Sequence, residues 1–377
     1  MNIGITCYPT YGGSGTVATE LGINLAKRGH KVHFITTAFP YRLSEFVENI
    51  IFHEVQVLNY PLFDYVPWSL SLASKMAQVA VREDLDFLHV HYAIPHATSA
   101  YLAKNVVAKR KKLPFITTLH GTDIILVGKD PSYFEITKFS IEESDAVTAV
   151  SNYLKNQTLY RFGITKPIEV IPNFVDTEKF SPNPGKDHDC KLCLCQPGEK
   201  ILMHISNFRP VKRIDDIISV FEGVSKKIKC RLIMVGGGPE KDRAIELVDK
   251  KGLSEKVNFL GKQDNVSQLI PCADLFLLPS EYESFGLSAL EAMSCGVPVI
   301  GTKGSGMEEF LGDGTSGMLF PVGDIKSMVD GALKILNNSD LAESMGEKGR
   351  EKAIKNYNVD LIVDKYEDVY KKLLSGK

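Results

Sequence analysis

Glu283-Ser284-Phe285-Gly286-Leu287-Ser288-Ala289-Leu290-Glu291 follows an apolar run, Leu275–Pro279, that has the length of a buried strand. The stretch predicts a helix over Ser284–Cys295, which Gly296 and Pro298 would end. The residues that come next are again strand-like. A strand, a helix and a second strand in this order are typical of parallel sheets covered by helices, so this stretch indicates an α/β fold.

The same alternation of short β-branched runs and helix-length amphipathic segments extends through the chain. Further strands are predicted at Ile3–Cys7, Lys31–Thr36, Phe87–His91, Phe115–Leu119, Ala146–Val150, Ile168–Ile171, Ile201–Ile205, Arg231–Val235, Val257–Leu260 and Val297–Gly301. Further helices are predicted at Gly15–Arg28, Ser71–Arg82, Asp215–Ser225, Lys241–Lys251, Asp324–Asn337 and Asp340–Lys355. The pattern predicts doubly wound, Rossmann-like sheets that bind ligands beyond the carboxyl ends of their strands.

One interruption divides this pattern into two halves. Between Asn173 and Glu199 the chain carries prolines, glycines and cysteines in place of a strand or a helix. We therefore predict an N-terminal domain at residues 1–172, a linker at 173–199 and a C-terminal domain at 200–358. Two Rossmann-like domains of this kind are expected to face each other across one cleft.

The composition excludes several classes of protein. The 377 residues include 44 Lys and Arg against 46 Asp and Glu, a formal net charge of −2, whereas a nucleic-acid-binding protein normally carries an excess of basic residues. No apolar run approaches the roughly 18 residues of a membrane span. Because the sequence starts with a strand-like segment, we expect no secretory signal. The sequence predicts a cytoplasmic protein without stable membrane association, and it leaves a homo-oligomer open.

Seven cysteines are consistent with reduced thiols in the cytoplasm. His188, Cys190, Cys193 and Cys195 form a C-x2-C-x-C stretch that resembles part of a zinc site. Because no second cysteine pair stands at the distance that zinc fingers use, we predict no metal site here.

Two glycine loops, one in each half, each follow a predicted strand. Residues 13–18 match G-x-G-x-x-A, in which the glycines let a phosphate approach a helix N-terminus. A nicotinamide dinucleotide would also need an acid after the second strand, but Phe34–Ala38 contains none, which argues against a dehydrogenase. The second loop spans Gly236–Glu240. Either loop alone can be a simple turn; together they indicate a phosphorylated ligand.

Glu283 and Glu291 stand eight positions apart, which is about 12 Å if the segment is helical. At that separation two carboxylates cannot share a proton, but they can contact the two ends of a nucleotide sugar. A carboxylate at Glu291, among apolar helix residues, needs a hydroxyl-rich partner because its burial is costly. The alternative is that both acids only interact with the helix dipole.

The pattern Glu-x-Phe-Gly-x4-Glu, followed by Gly-Val-Pro at 296–298, resembles the signature of family-4 retaining glycosyltransferases, which have the GT-B fold. The resemblance covers nearly the whole chain and includes both glycine loops and Ile171–Asp176. It implies an acceptor-side N-terminal domain and a C-terminal domain that binds the nucleotide sugar. It also implies a final helix, 359–377, that returns to the N-terminal domain.

Four further stretches, Ile5–Pro9, His91–His96, Thr118–Asp123 and Ser206–Arg213, resemble the branch of this family that begins bacillithiol biosynthesis. That resemblance implies transfer of N-acetylglucosamine from UDP-N-acetylglucosamine to the hydroxyl of L-malate. An alternative is a family-4 enzyme with a different sugar or lipid acceptor. A non-catalytic nucleotide-sugar-binding regulator is a second alternative, and the complete set of site residues argues against it.

Donor-binding residues follow from the same resemblance. The family uses an Arg and a Lys five positions apart to neutralise the diphosphate; here Lys212 matches, whereas Asn207 occupies the Arg position and Arg209 follows two residues later. We expect Arg209 and Lys212 to hold the diphosphate, the alternative being two solvated cations. The remaining donor contacts are expected at Gly13, Gly15, Asn207, Gly237, Gln263, Ser284, Phe285, Gly286, Leu287 and Glu291.

The catalytic residues are expected to be His120, which would bind the transferred sugar, and Glu283, which would position its ring. The alternative for His120 is a structural loop histidine. Thr122 and Asp123 are expected to cap the turn that follows. Malate is a dianion and requires cationic or N–H donors. Candidates for binding it are Ser14, Arg42, Tyr92, Thr122 and Asn152, although Arg42 can equally be a surface arginine.

No metal or other cofactor is expected, because two cations can stabilise the leaving diphosphate. The one D-x-D sequence, Asp84-Leu85-Asp86, is predicted to lie on the surface. The basic run 109–112 suits a solvated helix end, although some relatives that use lipids dock on membranes through such residues.

Overall fold

The computed structural model describes residues 1–10, 12–43, 45–58, 65–128, 130–182 and 193–376. The chain forms two compact units. Unit 1 comprises Met1–Asn173 together with Asp360–Lys377, and unit 2 comprises Phe174–Val359. The segment 173–199 was predicted as a linker; the boundary between the units falls at its first residue.

Unit 1 is built on a parallel sheet. Its strands are β1 (Asn2–Thr6), β2 (Lys31–Thr36), β3 (Ile50–Glu54), β4 (Phe87–His91), β5 (Phe115–Leu119), β6 (Ala146–Ala149) and β7 (Ile168–Val170). Among the described residues they form one seven-stranded sheet in the order β3-β2-β1-β4-β5-β6-β7, with every neighbouring pair parallel. The central strands β4 and β5 are buried along their whole length, as expected for a sheet with helices on both faces.

The first five helices of unit 1 are α1 (Gly13–Lys27), α2 (Trp68–Arg82), α3 (Thr98–Val107), α4 (Pro131–Glu143) and α5 (Asn152–Phe162). Of the last three, α3 was expected only as the helix that the basic run 109–112 follows, and α4 and α5 were not predicted, because their apolar stripes are weak. For example, α5 buries Leu154, Thr158 and Phe162 and little else. Its start is fixed by a side-chain cap, in which Ser151 Oγ accepts a hydrogen bond from the Leu154 amide.

Unit 2 contains a second parallel sheet. Its strands are β8 (Lys200–Ser206), β9 (Cys230–Gly236), β10 (Val257–Gly261), β11 (Leu275–Leu278), β12 (Val299–Thr302) and β13 (Gly317–Phe320). Within the described ranges they form a six-stranded sheet in the order β10-β9-β8-β11-β12-β13. Its helices are α6 (Ile214–Ser225), α7 (Lys241–Lys250), α8 (Val266–Leu269), α9 (Leu287–Ser294), α10 (Ile325–Leu336) and α11 (Ser339–Tyr357). The prediction of two doubly wound, Rossmann-like units is confirmed.

The helix predicted over Ser284–Cys295 starts three residues later than expected, at Leu287. Gly286 has φ 100°, which the interior of a right-handed helix does not allow. Glu283 therefore lies in the turn before α9, while Glu291 lies inside the helix. The separation of about 12 Å assumed a continuous helix and does not apply to this pair.

The final helix, α12 (Val359–Ser375), packs within unit 1. Its side chains Tyr366 and Tyr370 are fully buried, and Tyr370 Oη is hydrogen-bonded to His89 Nδ1 on β4 at 2.8 Å. At the outer side of the helix Arg28 forms ion pairs with Asp360 and Asp364. The helix thus contributes both core and surface contacts to unit 1.

Several features that the sequence singled out lie away from the strand ends that face ligands. Asp84 pairs with Lys111 of the basic run, and Asp86 accepts a hydrogen bond from the Asn2 amide.

The cysteines of the described residues differ in state. Free thiols are found at Cys7, Cys193, Cys195, Cys230 and Cys295, whereas Cys272 is disulfide-bonded, so the expectation of reduced thiols is wrong at that position. His188 and Cys190 lie outside the described residues. Among the described residues, none of the helices combines the length and the apolar character that crossing a bilayer needs.

Candidate active site

Each sheet has a point where the strand order reverses, between β1 and β4 in unit 1 and between β8 and β11 in unit 2. The loops that follow two such strands leave in opposite directions, and the crevice between them is where α/β sheets bind ligands. In unit 1, Ser14 follows β1 and Tyr92 follows β4. In unit 2, Lys212 follows β8 and Glu283 follows β11. All four predicted site residues therefore follow strands at the two points where ligands of α/β sheets bind.

In unit 2 the two charged residues form an ion pair. Lys212 Nζ lies 2.5 Å from Glu283 Oε1, and Ser280 Oγ donates a hydrogen bond to the same oxygen at 2.8 Å. The Glu283 side chain is nearly buried and that of Lys212 is 18% exposed. A basic and an acidic side chain therefore lie together at one edge of the sheet.

Backbone hydrogen bonds hold the loops that carry this pair. The Glu281 amide donates to the Val211 carbonyl at 2.8 Å, which joins the loops after β11 and β8. The Gly306 amide donates to the Glu283 carbonyl at 2.8 Å. A Cβ at Gly306 would lie 2.1 Å from the Ser284 carbonyl oxygen, so only glycine fits there. Sequence analysis identified neither Ser280 nor Gly306, because no motif marks them.

The glycine loop after β9 packs closely on the loop after β8. A Cβ at Gly236 or Gly238 would come within 2.0 Å of the carbonyl oxygens of Ser206 or Asn207, respectively. Close packing therefore accounts for these two glycines. By contrast, a Cβ at Gly237 would meet no atom within 4 Å. The backbone of Gly237 is accessible, as its predicted role in donor binding requires.

Phe208 lies between Asn207 and Arg209 in an unusual backbone conformation. Phe208 is buried and has φ 37°, and its carbonyl accepts a hydrogen bond from the Glu240 amide at 2.9 Å. The turn at Phe208 leaves Asn207 and Arg209 exposed on either side of it. Within the described part of the chain, the Arg209 guanidinium forms no ion pair. It is therefore available to an anionic ligand.

The other predicted donor contacts occupy different environments. The Phe285 ring stacks on Phe310 with 4.9 Å between ring centroids, so only its backbone can reach a ligand. Glu291 is 5% exposed inside α9. Gln263 follows the edge strand β10, where its side-chain amide donates to the Leu260 carbonyl at 2.7 Å. Ser284 and Leu287 are half-buried on either side of this turn.

In unit 1 three predicted acceptor residues lie together. Ser14 Oγ donates to Tyr92 Oη at 2.8 Å, and the side chain of Thr122 lies near the phenol. Burial raises the pKa of Tyr92 to about 12, so this phenol is neutral near pH 7. The three hydroxyl groups come from the first turn of α1, which follows β1, and from the segments after β4 and β5. Together they form a polar cluster at the carboxyl edge of the sheet.

His120 lies beside this cluster. Its Nε2 is hydrogen-bonded to His91 Nδ1 at 2.8 Å, and its ring is 5.4 Å from the ring of Tyr92. Burial lowers the pKa of His120 to about 3, with smaller contributions from neighbouring histidines. The imidazole is therefore neutral at physiological pH. It can accept or donate a hydrogen bond, but it carries no positive charge.

The remaining predictions in unit 1 are less closely grouped. Gly15 packs against the loop after β1, since a Cβ there would lie 2.4 Å from the Tyr8 carbonyl oxygen. Gly13 has φ 58° and open space around it. Arg42 pairs with Glu20 of α1 at 3.5 Å. Asn152 is exposed at the first residue of α5, after β6, which is two strands away from β4.

Asp123 was expected only to cap the turn after His120. Instead Asp123 is only 2% exposed, and its carboxylate accepts hydrogen bonds from the amides of Ala93 and Gly121. Ala93 lies in a different loop, the one that carries Tyr92. The sequence shows an acid close to His120, but it does not show that this acid contacts Ala93, which is 30 residues away.

The buried histidines should make the protein less stable in mild acid. Burial lowers the pKa of His89 and His120 to about 3 and that of His96 and His204 to about 4. The unfolded chain binds these protons below about pH 6.5, whereas the folded chain does not, so stability falls as the pH drops below 6.5. The pKa of Asp123 is raised, so this residue favours the folded state as the pH falls. One such group offsets only part of the effect of four histidines.

We expect each such histidine to cost about 1 kcal/mol between pH 7.5 and pH 5.5. Thermal melting at the two pH values should show a lower Tm at pH 5.5. The variant His89→Gln can still hydrogen-bond Tyr370, and it should show a smaller difference in Tm between the two pH values than the wild type. An unchanged or higher Tm at pH 5.5 would contradict the expectation.

Two family models match the chain. The model described as Glycosyltransferase Family 4 matches residues 11–179, and the model described as Glycosyl transferases group 1 matches residues 194–352. The chain is 48% identical over 370 residues to the N-acetyl-alpha-D-glucosaminyl L-malate synthase of Bacillus anthracis, which covers 98% of this chain and 96% of that protein. The chain belongs to the family-4 glycosyltransferases.

Solved structures agree with this glycosyltransferase assignment at the level of the fold. The sucrose-phosphate synthase of Thermosynechococcus elongatus matches with a TM-score of 0.83 and 20% identity, over 100% of both chains. Anabaena HepE in complex with UDP and glucose matches with a TM-score of 0.83 and 19% identity, over 98% of this chain and 99% of that one. The predicted GT-B fold and glycosyltransferase class are confirmed; the roles of individual site residues stay predictions.

Proposed function

We propose that the protein is a retaining glycosyltransferase that transfers N-acetylglucosamine from UDP-N-acetylglucosamine to the hydroxyl of L-malate, the first step of bacillithiol biosynthesis. The observation that carries this proposal is the 48% identity, over 98% of the chain, to the synthase of Bacillus anthracis that is named for this product. The geometry of each unit supports it separately. A cytoplasmic location is part of the proposal.

On the donor side, unit 2 offers fixed positive charge next to a carboxylate. Lys212 and Arg209 stand at the end of β8, where the diphosphate of a nucleotide sugar would bind with its negative charge between them. Glu283 is held by Ser280 and Lys212, and its orientation is therefore defined before a ligand arrives. We assign Lys212 and Arg209 to the leaving diphosphate and Glu283 to the sugar ring.

On the acceptor side, unit 1 offers hydroxyl donors next to the N-terminus of α1. The carboxylates of malate would bind to Ser14, Tyr92 and Thr122, where the partial positive charge at the start of α1 favours an anion. The backbone of Gly13 and Gly15 stays assigned to the donor. Arg42 and Asn152 complete the assigned set. His120, neutral at physiological pH, is assigned to a hydroxyl of the transferred sugar.

The reaction needs no protein nucleophile or base under this proposal. The malate hydroxyl attacks the anomeric carbon from the side that the diphosphate leaves. A carbon–oxygen bond to malate forms as the carbon–oxygen bond to phosphate breaks, and the hydroxyl proton passes to the departing phosphate oxygen. Fixed cations stabilise the charge that develops on this oxygen. No metal ion or other cofactor is included in the proposal.

The decisive experiment follows UDP release by the purified full-length chain with UDP-N-acetylglucosamine and L-malate, without added metal. We expect release that depends on malate, with a product that retains the α configuration by NMR. Succinate is a matched control, because it has both carboxylates but no hydroxyl, and it should release no UDP above the background of hydrolysis.

Each other outcome has a defined meaning. If malate causes no UDP release, the substrate assignment is wrong. If a different sugar or a lipid acceptor releases UDP instead, the acceptor is wrong while the donor assignment stands. If EDTA abolishes the activity and a divalent cation restores it, the metal-free mechanism is wrong.

A further inference from the structure

We propose that Asp123 is a positioning residue that ties the loop carrying Tyr92 to the loop carrying His120. This inference rests on the proposed function, since it concerns two residues assigned to acceptor and sugar binding. Asp123 itself is not expected to touch either substrate, because its carboxylate is almost fully buried.

The two carboxylate oxygens of Asp123 have different partners. Oδ2 accepts a hydrogen bond from the Ala93 amide at 2.8 Å, and Oδ1 accepts one from the Gly121 amide at 3.0 Å. Ala93 directly follows Tyr92, and Gly121 directly follows His120. One side chain therefore fixes the backbone next to both assigned residues, although the two loops are about 30 residues apart in sequence.

Tyr92 needs this restraint because its backbone is in an unfavourable conformation. Its φ of 91° is rare for a residue with a side chain. The Tyr92 amide donates to the Thr118 carbonyl at 2.9 Å, and the next amide, that of Ala93, donates to Asp123. Held on both sides, Tyr92 keeps its phenol against Ser14. Without the bond to Asp123, the strained residue would be free to relax and move its phenol away.

The chemistry of the contacts requires a carboxylate rather than an amide. Both partners of Asp123 are N–H donors from different loops, and a carboxylate offers an acceptor to each. An asparagine has one oxygen and one NH2 group, so one of the two amides would face another donor. Asp123→Asn therefore removes one of the two hydrogen bonds while the volume of the side chain stays nearly the same.

The ionisation of Asp123 provides a readout that a merely structural residue would lack. Burial raises its pKa to about 6. The ionisable groups around it titrate far from that value. Burial raises the pKa of Tyr92 to about 12 and that of Tyr8 above its usual value, and it lowers those of His96, His120 and His91 to about 4, about 3 and well below 6.5, respectively. Protonation of Asp123 removes an acceptor, so kcat/KM should fall as the pH drops through about 6.

The test compares wild type, Asp123→Asn and Asp130→Asn by malate-dependent UDP release. Asp130 is a matched control, because it is an exposed acid that caps α4 by accepting from the Ser132 amide. For Asp123→Asn we expect a kcat reduced at least about 10-fold and a higher KM for malate. Between pH 7 and pH 5.5 the kcat/KM of this variant should fall only as far as protonation of the substrates requires. UDP affinity, measured by calorimetry, should stay within about twofold. Asp130→Asn should match the wild type.

The outcomes separate this proposal from the proposed function. If the wild type releases no UDP with malate, the proposed function fails and the role of Asp123 in it fails too. If the wild type is active and Asp123→Asn has the same kcat, KM and pH profile, only the positioning role is overturned. If Asp123→Asn does not fold, the comparison uses Asp123→Glu, which keeps the charge but displaces it by one methylene. A reduced kcat in the folded Glu variant supports the proposal, and wild-type kinetics overturn it.

Discussion

Lys212→Ala is expected to lower kcat about 10²–10³-fold, because it removes a fixed positive charge from the leaving diphosphate. The affinity for UDP should also fall, by roughly 10- to 100-fold, since a hydrogen bond to a charged group contributes about 1.5–3 kcal/mol. Steady-state kinetics with malate and calorimetric titration of UDP measure the two effects. The loss of charge also leaves Glu283 without its partner, so Tm should be recorded to show that the variant is folded.

Lys226→Ala is a matched control for this prediction. Lys226 also pairs with a glutamate, Glu222, at 2.6 Å, but it is exposed just after the end of α6 and belongs to no strand-end loop of the candidate site. Its replacement should leave kcat and UDP affinity unchanged. Equal losses of kcat and UDP affinity in both variants would show that removing any positive charge has this effect, and that Lys212 has no special role. An unchanged kcat in Lys212→Ala would remove Lys212 from the site.

Glu283→Gln is expected to lower kcat about 10²-fold while UDP binds at least as tightly as in the wild type. The amide keeps the size of the side chain and can still accept from Ser280, but it no longer holds Lys212 as an ion pair. Lys212 then has one anionic partner, the diphosphate, instead of two. UDP affinity thus distinguishes the two variants, since it falls only in Lys212→Ala, although both lose transfer activity.

Glu281→Gln is the control for the second variant, since Glu281 is an exposed acid two residues earlier in the same turn. It should retain wild-type kcat. A Glu283→Gln enzyme with wild-type kcat would show that the carboxylate is not needed for transfer. UDP affinity that falls as far as in Lys212→Ala would instead show that the ion pair is required to place the lysine.

The sequence predicted the parallel sheets because a strand buried on both faces is a continuous apolar run, and Phe115–Leu119 or Leu275–Leu278 can be recognised without knowing what covers them. It did not predict β3, β13 or α5. In α5 the apolar stripe is too weak to recognise, because the helix buries little more than Leu154, Thr158 and Phe162. Helix ends were accurate for α6, α7 and α10, whose predicted bounds lie within one residue of the observed ones. The start of α9 was missed because Gly286 is compatible in sequence with either a turn or a helix.

For the site, residues at the ends of strands could be predicted and those that hold them could not. Lys212 and Glu283 belong to recognisable motifs, and the parallel order of β8 and β11 brings them together. Ser280 contacts Glu283 three residues later in the same loop, and Asp123 accepts from one amide of its own loop and from one of the loop after β4. Such a contact depends on atomic positions within a few tenths of an ångström, which a linear pattern of residue types does not encode.

The contribution of α12 to unit 1 has a consequence for the order of events during synthesis on the ribosome. Unit 2 is encoded by one uninterrupted stretch, residues 174–359, whereas unit 1 needs residues from both ends of the chain. Until residues 360–375 have been translated, His89 lacks the hydroxyl of Tyr370, and the cavity that Tyr366 fills is open. The half of the protein that is translated second can therefore finish folding first, and the half that is translated first must wait for the last helix.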